Sequence, residues 1–348
     1  MRTDSSRPRW PLLGHPVAVG LQLVGALCML AALWRARDVL LLGFLAVLVA
    51  VVFSFPVDWL SRIIPRGLAV LVVLVVLLGG LTIAVVFAAP AAVQQAQALG
   101  PRAAQAFERA REWFEHARRS ASLAPLAPGP QSGQEVQSVL GKLVPAAVTT
   151  VSALTAVLLM VVLAAFLVHQ SDSYREALRT LVPREKEAVY DELARRLGQG
   201  LRHWVAGILV SMLVMGGLTA LGLGLAGIEG WPVLAALTFL ATFVPYVGAI
   251  ASAIPGLLVG LAQSPRHFLL AGAVYLGIHV VEGYLVQPVV MKRAVEVRPA
   301  MLLLGQAVLA ALFGLMGAVV ATPLIVCAKI AVGYLYIERR LGKQGPRP

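Results

Sequence analysis

The sequence predicts an all-α polytopic membrane protein of about eight hydrophobic helical elements, two of them (231–263 and 299–335) broken or re-entrant, plus a small helical extramembrane segment. Three observations carry this. Of 348 residues, 59% are hydrophobic and only 13% charged, where a soluble domain averages about 25% charged. The mean hydropathy is +0.83. Apolar runs of roughly 20 residues, enough to cross a bilayer, recur along the whole chain.

The first span is expected at 17–34. Arg2, Arg7 and Arg9 precede it as in a signal peptide, but the run ends on Arg35 and Arg37 with no small-residue cleavage site. It reads as a retained span. Spans at 39–57 and 67–90 complete an N-terminal block, 1–92. The polar segment 93–144 places Phe107, Trp113 and Phe114 at helical spacing among charges, which predicts an amphipathic helix or hairpin. The proline- and glycine-rich stretch LAPLAPGPQSGQ at 123–134 interrupts it. A fourth span, 146–169, fills the block 145–169.

The next block, 170–205, is amphipathic. Between 170 and 203 it carries seven basic and six acidic residues, intermixed, so a solvated helix pair around Pro183 is expected. The block 206–335 opens with a span at 206–227 and continues through apolar regions at 231–263, 267–290 and 299–335. A basic tail, 336–348, closes the chain.

Two of those regions are too long for one ordinary span and are punctuated internally. FVPYVGAIASAIPG (243–256) and FGLMGAVVATPL (313–324) share an order: Phe243, Gly248, Ala249, Pro255, and Phe313, Gly317, Ala318, Pro323. Paired apolar segments interrupted by Gly and Pro point to a transporter's binding site. Free backbone groups at such breaks are tolerated only inside protein or beside a cavity. The expected breaks are Pro245, Gly248, Pro255, Pro288, Gly314, Gly317 and Pro323. The alternative is a pair of long kinked helices. Fold-back is favoured because it puts the basic loop with Lys292, Arg293 and Arg298 inside; eight full crossings put it outside.

Counting Lys and Arg at span ends places both termini, Arg62, Arg66 and segment 170–203 on the inside, and 93–144 outside. The net charge of +12 follows from this loop bias; no basic stripe with interleaved aromatics suggests nucleic acid. Cys28 and Cys327 both lie in apolar runs and form neither a metal-ligand pattern nor a disulfide framework. No metal or other cofactor is expected. HExxH, G-x-S-x-G and paired aspartates in facing spans are all missing from the sequence, so an enzyme is not expected.

Glu282 is the only acidic residue inside an expected span. A charged side chain at mid-bilayer costs at least about 2.5 kcal/mol. It must face a cavity, find a partner or carry its proton. His279 lies three residues earlier, on the same helical face. Together they could pass a proton or present an anionic site to a cation. Equally, Glu282 could accept hydrogen bonds from backbone amides freed at the breaks. Gln287, before the kinking Pro288, Tyr284 and Gln306 are neutral groups that could bind a hydroxylated solute.

The ordered set Leu181-Val182-Pro183, Gly207, Phe243-Val244-Pro245-Tyr246-Val247-Gly248, Ile254-Pro255, Glu282-Gly283-Tyr284-Leu285-Val286-Gln287-Pro288, Pro299, Phe313 to Gly317 and Pro323 resembles the autoinducer-2 exporter family. The likeness runs over about 15–340. It implies a bacterial inner-membrane protein, a homo-oligomer for which a pentamer is one assembly, that moves small solutes. Some members are described as exporters of autoinducer-2, others as sodium or lithium/proton antiporters. On this resemblance 206–335 is a transport core, with Glu282, His279, Gln287 and Tyr284 as transport or coupling residues. The expected partners are a small polar solute, or a monovalent cation and protons, and the lipid bilayer. A non-transporting scaffold, with 93–144 binding a partner, is the reading from another class. The chain departs from the family pattern at Ile208, where Gln is frequent, at Thr242, where Asn or Asp is common, and at Arg298, which replaces a His.

Overall fold

The computed structural model describes residues 15–80, 82, 108, 112, 150–286 and 298–343. Nearly all of the segment 93–144, together with Gln287, Pro288 and the loop 291–297, therefore lies outside the described residues. The described residues are helical almost throughout and contain no strand. By contacts the chain divides into two units, Met1–Phe44 and Leu45–Pro348.

The first unit holds α1, His15–Arg35, and the first turns of α2, Arg37–Leu60. At their junction the Arg37 guanidinium lies 4.7 Å over the Trp34 ring.

In the second unit the rest of α2 packs with α3, Arg66–Gly80, and α4, Thr150–His169. Phe53, Val57, Ala69, Val73, Ala164 and Val168 form their common core. α4 then turns by 75° into a short helix, α5, Ser171–Thr180. Arg66 holds that corner by donating to the Val168 carbonyl and to Ser171 Oγ. The helix pair expected around Pro183 is present, but its second helix does not stop at the membrane. α6 runs unbroken from Glu187 to Leu225, 39 residues, or about 58 Å. Charged and apolar residues serve equally well inside one helix, so the change of solvent near residue 205 leaves no mark on the backbone. α6 ends in a Schellman turn: Gly227 has φ 69°, and the Ile228 amide donates to the Leu223 carbonyl at 3.0 Å.

α6 is the element against which the remainder packs. Its Gly216 abuts Phe239, Gly222 abuts Val274 and Gly200 abuts Ile330. Small residues at such crossings let helices approach where lipid supplies no hydrophobic drive.

The two long apolar regions are helical hairpins. In the first, α7 (Trp231–Ala241) and α8 (Val247–Gln263) flank a non-helical turn. Leu234 and Val259 share one core cluster; a straight helix would hold them about 38 Å apart. Ser264 then caps α9, Pro265–Val281, accepting from the His267 amide at 3.3 Å, with Pro265 opening the helix. In the second, α10 spans Pro299–Val332 but is broken at Gly314, with φ 62° and ψ −148°. Gln306 Nε2 lies 3.2 Å from Thr322 Oγ1 across the break, where a straight helix would separate these residues by about 24 Å. By length and apolar composition Arg37–Leu60, Arg184–Leu225 and Pro299–Glu338 each suffice to cross a membrane, and the bent pair α4–α5 makes a fourth candidate. The contact between Gln306 and Thr322 shows that the third is not a straight rod.

Two expected breaks require correction. Pro255 lies inside α8 and Pro323 inside α10, and neither ends its helix. Each ring removes one amide donor and frees a carbonyl a turn earlier, without reversing the chain. Gly248 and Gly317 do belong to the reversals, as points of close approach. A Cβ at Gly248 would strike the Ala241 carbonyl, and one at Gly317 the Leu309 carbonyl.

Candidate functional site

The reversal between α7 and α8 is a tight γ-turn. Val247 N donates to the Pro245 carbonyl at 2.8 Å, and Tyr246 between them has φ 64° and ψ −54°. This conformation is rare and strained for a residue with a side chain. Trp204 of α6 supports it, its ring edge-on to Phe243 at a centroid distance of 5.7 Å.

The second hairpin reaches this turn through one side chain. Gln306, about 2% exposed, donates from Nε2 to the Pro245 carbonyl at 3.1 Å as well as to Thr322. A carbonyl can only accept, which fixes the nitrogen of the amide towards Pro245. The opposite atom, Oε1, is then buried with no hydrogen-bond partner. A buried acceptor left open is costly in a low-dielectric interior. It is therefore a place where a donor from a solute or a water would bind with advantage.

Thr242 is buried, and its hydroxyl donates to the Thr238 carbonyl at 2.7 Å. Its polar group is satisfied by its own helix.

Glu282 and His279 are brought together as the spacing predicts. Their nearest atoms, Glu282 Oε2 and His279 Nδ1, lie 3.3 Å apart, with the side chains 18% and 32% exposed. Glu282 is also where α9 changes: residues Glu282–Val286 form a π-helical turn, a backbone form that recurs at functional sites. That turn packs against α6. Tyr284 is 79% exposed, two positions beyond Glu282 and hence roughly on the opposite side of the turn; the structure does not bring it to the pair. Gln287 and Pro288 lie outside the described residues. No group of three His, Cys, Asp or Glu side chains suited to a metal ion occurs among the described residues.

A family model described as AI-2E family transporter matches residues 23–337. The chain belongs to this family. Two relatives span most of its length. They are named "Putative transport protein YhhT", from Escherichia coli (strain K12), and "Putative transport protein MT0215", from Mycobacterium tuberculosis. The first is 25% identical over 89% of this chain and 88% of its own length, the second 27% identical over 90% and 88%. A Bacillus subtilis protein named for transport, YrrI, is 19% identical over 47% of each chain. Family and helices together make this a polytopic membrane protein of a transporter family. Sequence reasoning read Gln306 only as a loose neutral group; its place between the hairpins had no local signal.

Proposed function

We propose that the chain is a secondary transporter that exports or exchanges a small polar, autoinducer-2-like solute. The site lies between the two hairpins and the helix bearing Glu282. The observation that carries this reading is Gln306, whose open Oε1 sits where the strained Pro245–Val247 turn meets the second hairpin. These groups offer hydrogen bonds without net charge, as recognition of a hydroxylated neutral solute requires. Glu282 and His279 act as the coupling groups, with Gln287 as a further solute contact.

Exchange of sodium or lithium for protons is the second reading, favoured by the contact of a carboxylate with an imidazole at 3.3 Å. In either case the chain sits in the bacterial inner membrane as a homo-oligomer, with both termini cytoplasmic and 93–144 outside. Three contacts support that orientation. Asp58 pairs with Arg202, Arg66 meets Ser171, and Arg196 meets Glu338. They gather α2–α3, α5, the charged end of α6 and the C-terminal turn into one basic-rich layer, which belongs inside by the positive-inside rule.

The test is proton flux into proteoliposomes carrying an internal pH dye, for wild type and Glu282→Gln, under gradients of autoinducer-2, sodium and lithium. Flux driven by autoinducer-2 and lost in the variant supports solute exchange. Flux driven only by a cation supports the second reading. Folded protein that shows no flux under any gradient would remove the coupling role from Glu282.

A further inference from the structure

We propose that the groove between α3 and α4 is a seat for one anionic phospholipid, its phosphate at the end marked by His169 and its acyl chain running down the groove. The groove encloses about 210 Å³. Gly67, Leu71 and Leu74 on α3 face Ala165, Phe166 and His169 on α4. From Gly67 to Leu74 it runs about 10 Å along α3, roughly two-thirds of one hydrocarbon leaflet.

The chemistry of its two ends differs. Below, every lining group named is apolar. At the mouth the His169 ring lies over Gly67, where an added Cβ would touch it at 3.4 Å. Arg66 stands one residue from Gly67 and reaches across to Val168 and Ser171, and Arg62 lies four residues earlier, in the turn between α2 and α3. Arg62 is exposed and has no ion-pair partner among the described residues. The nearest preceding acid in the chain, Asp58, is taken by Arg202 at 2.7 Å. A second open groove, lined by Val52, Phe55, Pro56, Leu77, Ala206 and Leu209, lacks this arrangement. The cation beside it, Arg202, lies over Phe55 and is already neutralised by Asp58. Of these two grooves, the one between α3 and α4 therefore joins an apolar channel to a cation, Arg66, that has no ion-pair partner among the described residues. This is the pattern that receives an amphiphile with an apolar tail and a negative head.

Native mass spectrometry of the purified full chain, titrated with phosphatidylglycerol and with phosphatidylcholine, tests the seat. Wild type is expected to retain one phosphatidylglycerol several-fold more strongly than phosphatidylcholine. Leu71→Trp, which fills the groove from a half-exposed position, should lose that one lipid whatever its head. Arg62→Gln combined with His169→Gln should keep a lipid and lose the preference. Leu74→Phe repeats the groove test should Leu71→Trp fail to fold. Unchanged lipid retention in the filled variants, or an unchanged preference in the charge variant, overturns the proposal. So does competition by inorganic phosphate without loss in Leu71→Trp. A change of subunit number in Leu71→Trp with lipid retention unaltered would instead make the groove a seat for a second copy of the chain.

Discussion

Gln306 donates to the carbonyl of Pro245, 61 residues earlier in the chain, and so fastens one helical hairpin to the reversal of the other. The bond is neutral and almost wholly buried, and the same amide group also serves Thr322. Removing it leaves acceptors at both ends. Gln306→Leu is expected to cost about 1–3 kcal/mol, seen as a lowered thermal midpoint in detergent. Gln306→Glu should cost more, because it presents a second acceptor to the Pro245 carbonyl. A variant as stable as wild type would mean the two hairpins hold each other by packing alone.

The fold-back of α10 makes a geometric prediction. Gly305 and Ile325 face each other across the hairpin; a Cβ at Gly305 would lie 3.3 Å from Ile325 Cγ1. In a background with Cys28 and Cys327 replaced by Ser, the pair Gly305→Cys and Ile325→Cys should close a disulfide under mild oxidation. A straight helix would hold them about 30 Å apart and leave both thiols free to alkylation.

Gly314 is the hinge of that hairpin, with a backbone conformation open essentially to glycine alone. Gly314→Ala should destabilise by roughly 1–3 kcal/mol, although a Cβ there meets no neighbouring atom. Because space is available, any loss comes from backbone strain, and β-branched Gly314→Val should be worse than Gly314→Ala or Gly314→Asn. Equal melting of all three variants would show that the turn relaxes.

In the charged first turns of α6, Arg195 and Arg196 hold the Glu192 carboxyl down at about 2, well below its ordinary 4.5. A carboxylate with a depressed native value stabilises above its unfolded pKa and loses that contribution as pH falls through the native one. The midpoint difference between wild type and Glu192→Gln should be constant above about pH 5, shrink below 4.5 and vanish near 2. A difference that widens on acidification would contradict the pairing.

The fold was legible in the sequence where its signals are local. Glycine and proline punctuation marked both reversals, and the spacing of His279 and Glu282 put them on one face. Pro255 and Pro323 misled, because a proline in a membrane helix frees a carbonyl without ending the helix when neighbours compensate. The continuity of α6 was hidden by a change of composition that tracks solvent rather than backbone. Tyr246 carries no sign of a positive φ, since strain there is imposed by the hairpin around it. Gln306 could not be placed, because its two partners become neighbours only once both chain reversals exist.

α6 has a mechanical consequence. Arg196 ties its charged end to Glu338 at 2.8 Å and lies 4.5 Å over the Tyr334 ring. Beyond this anchor the helix continues unbroken for about 44 Å to Leu225. Along that length it touches α7, α9, the turn at Glu282 and α10. A rigid helix held at one end in this way has the geometry of a lever with its fulcrum in the charged layer. A tilt of about five degrees at Arg196 carries Leu225 sideways by about 4 Å, from the same helical rise. That stroke is comparable to the length of a hydrogen bond, so a small displacement among the surface charges suffices to break a contact at the far end.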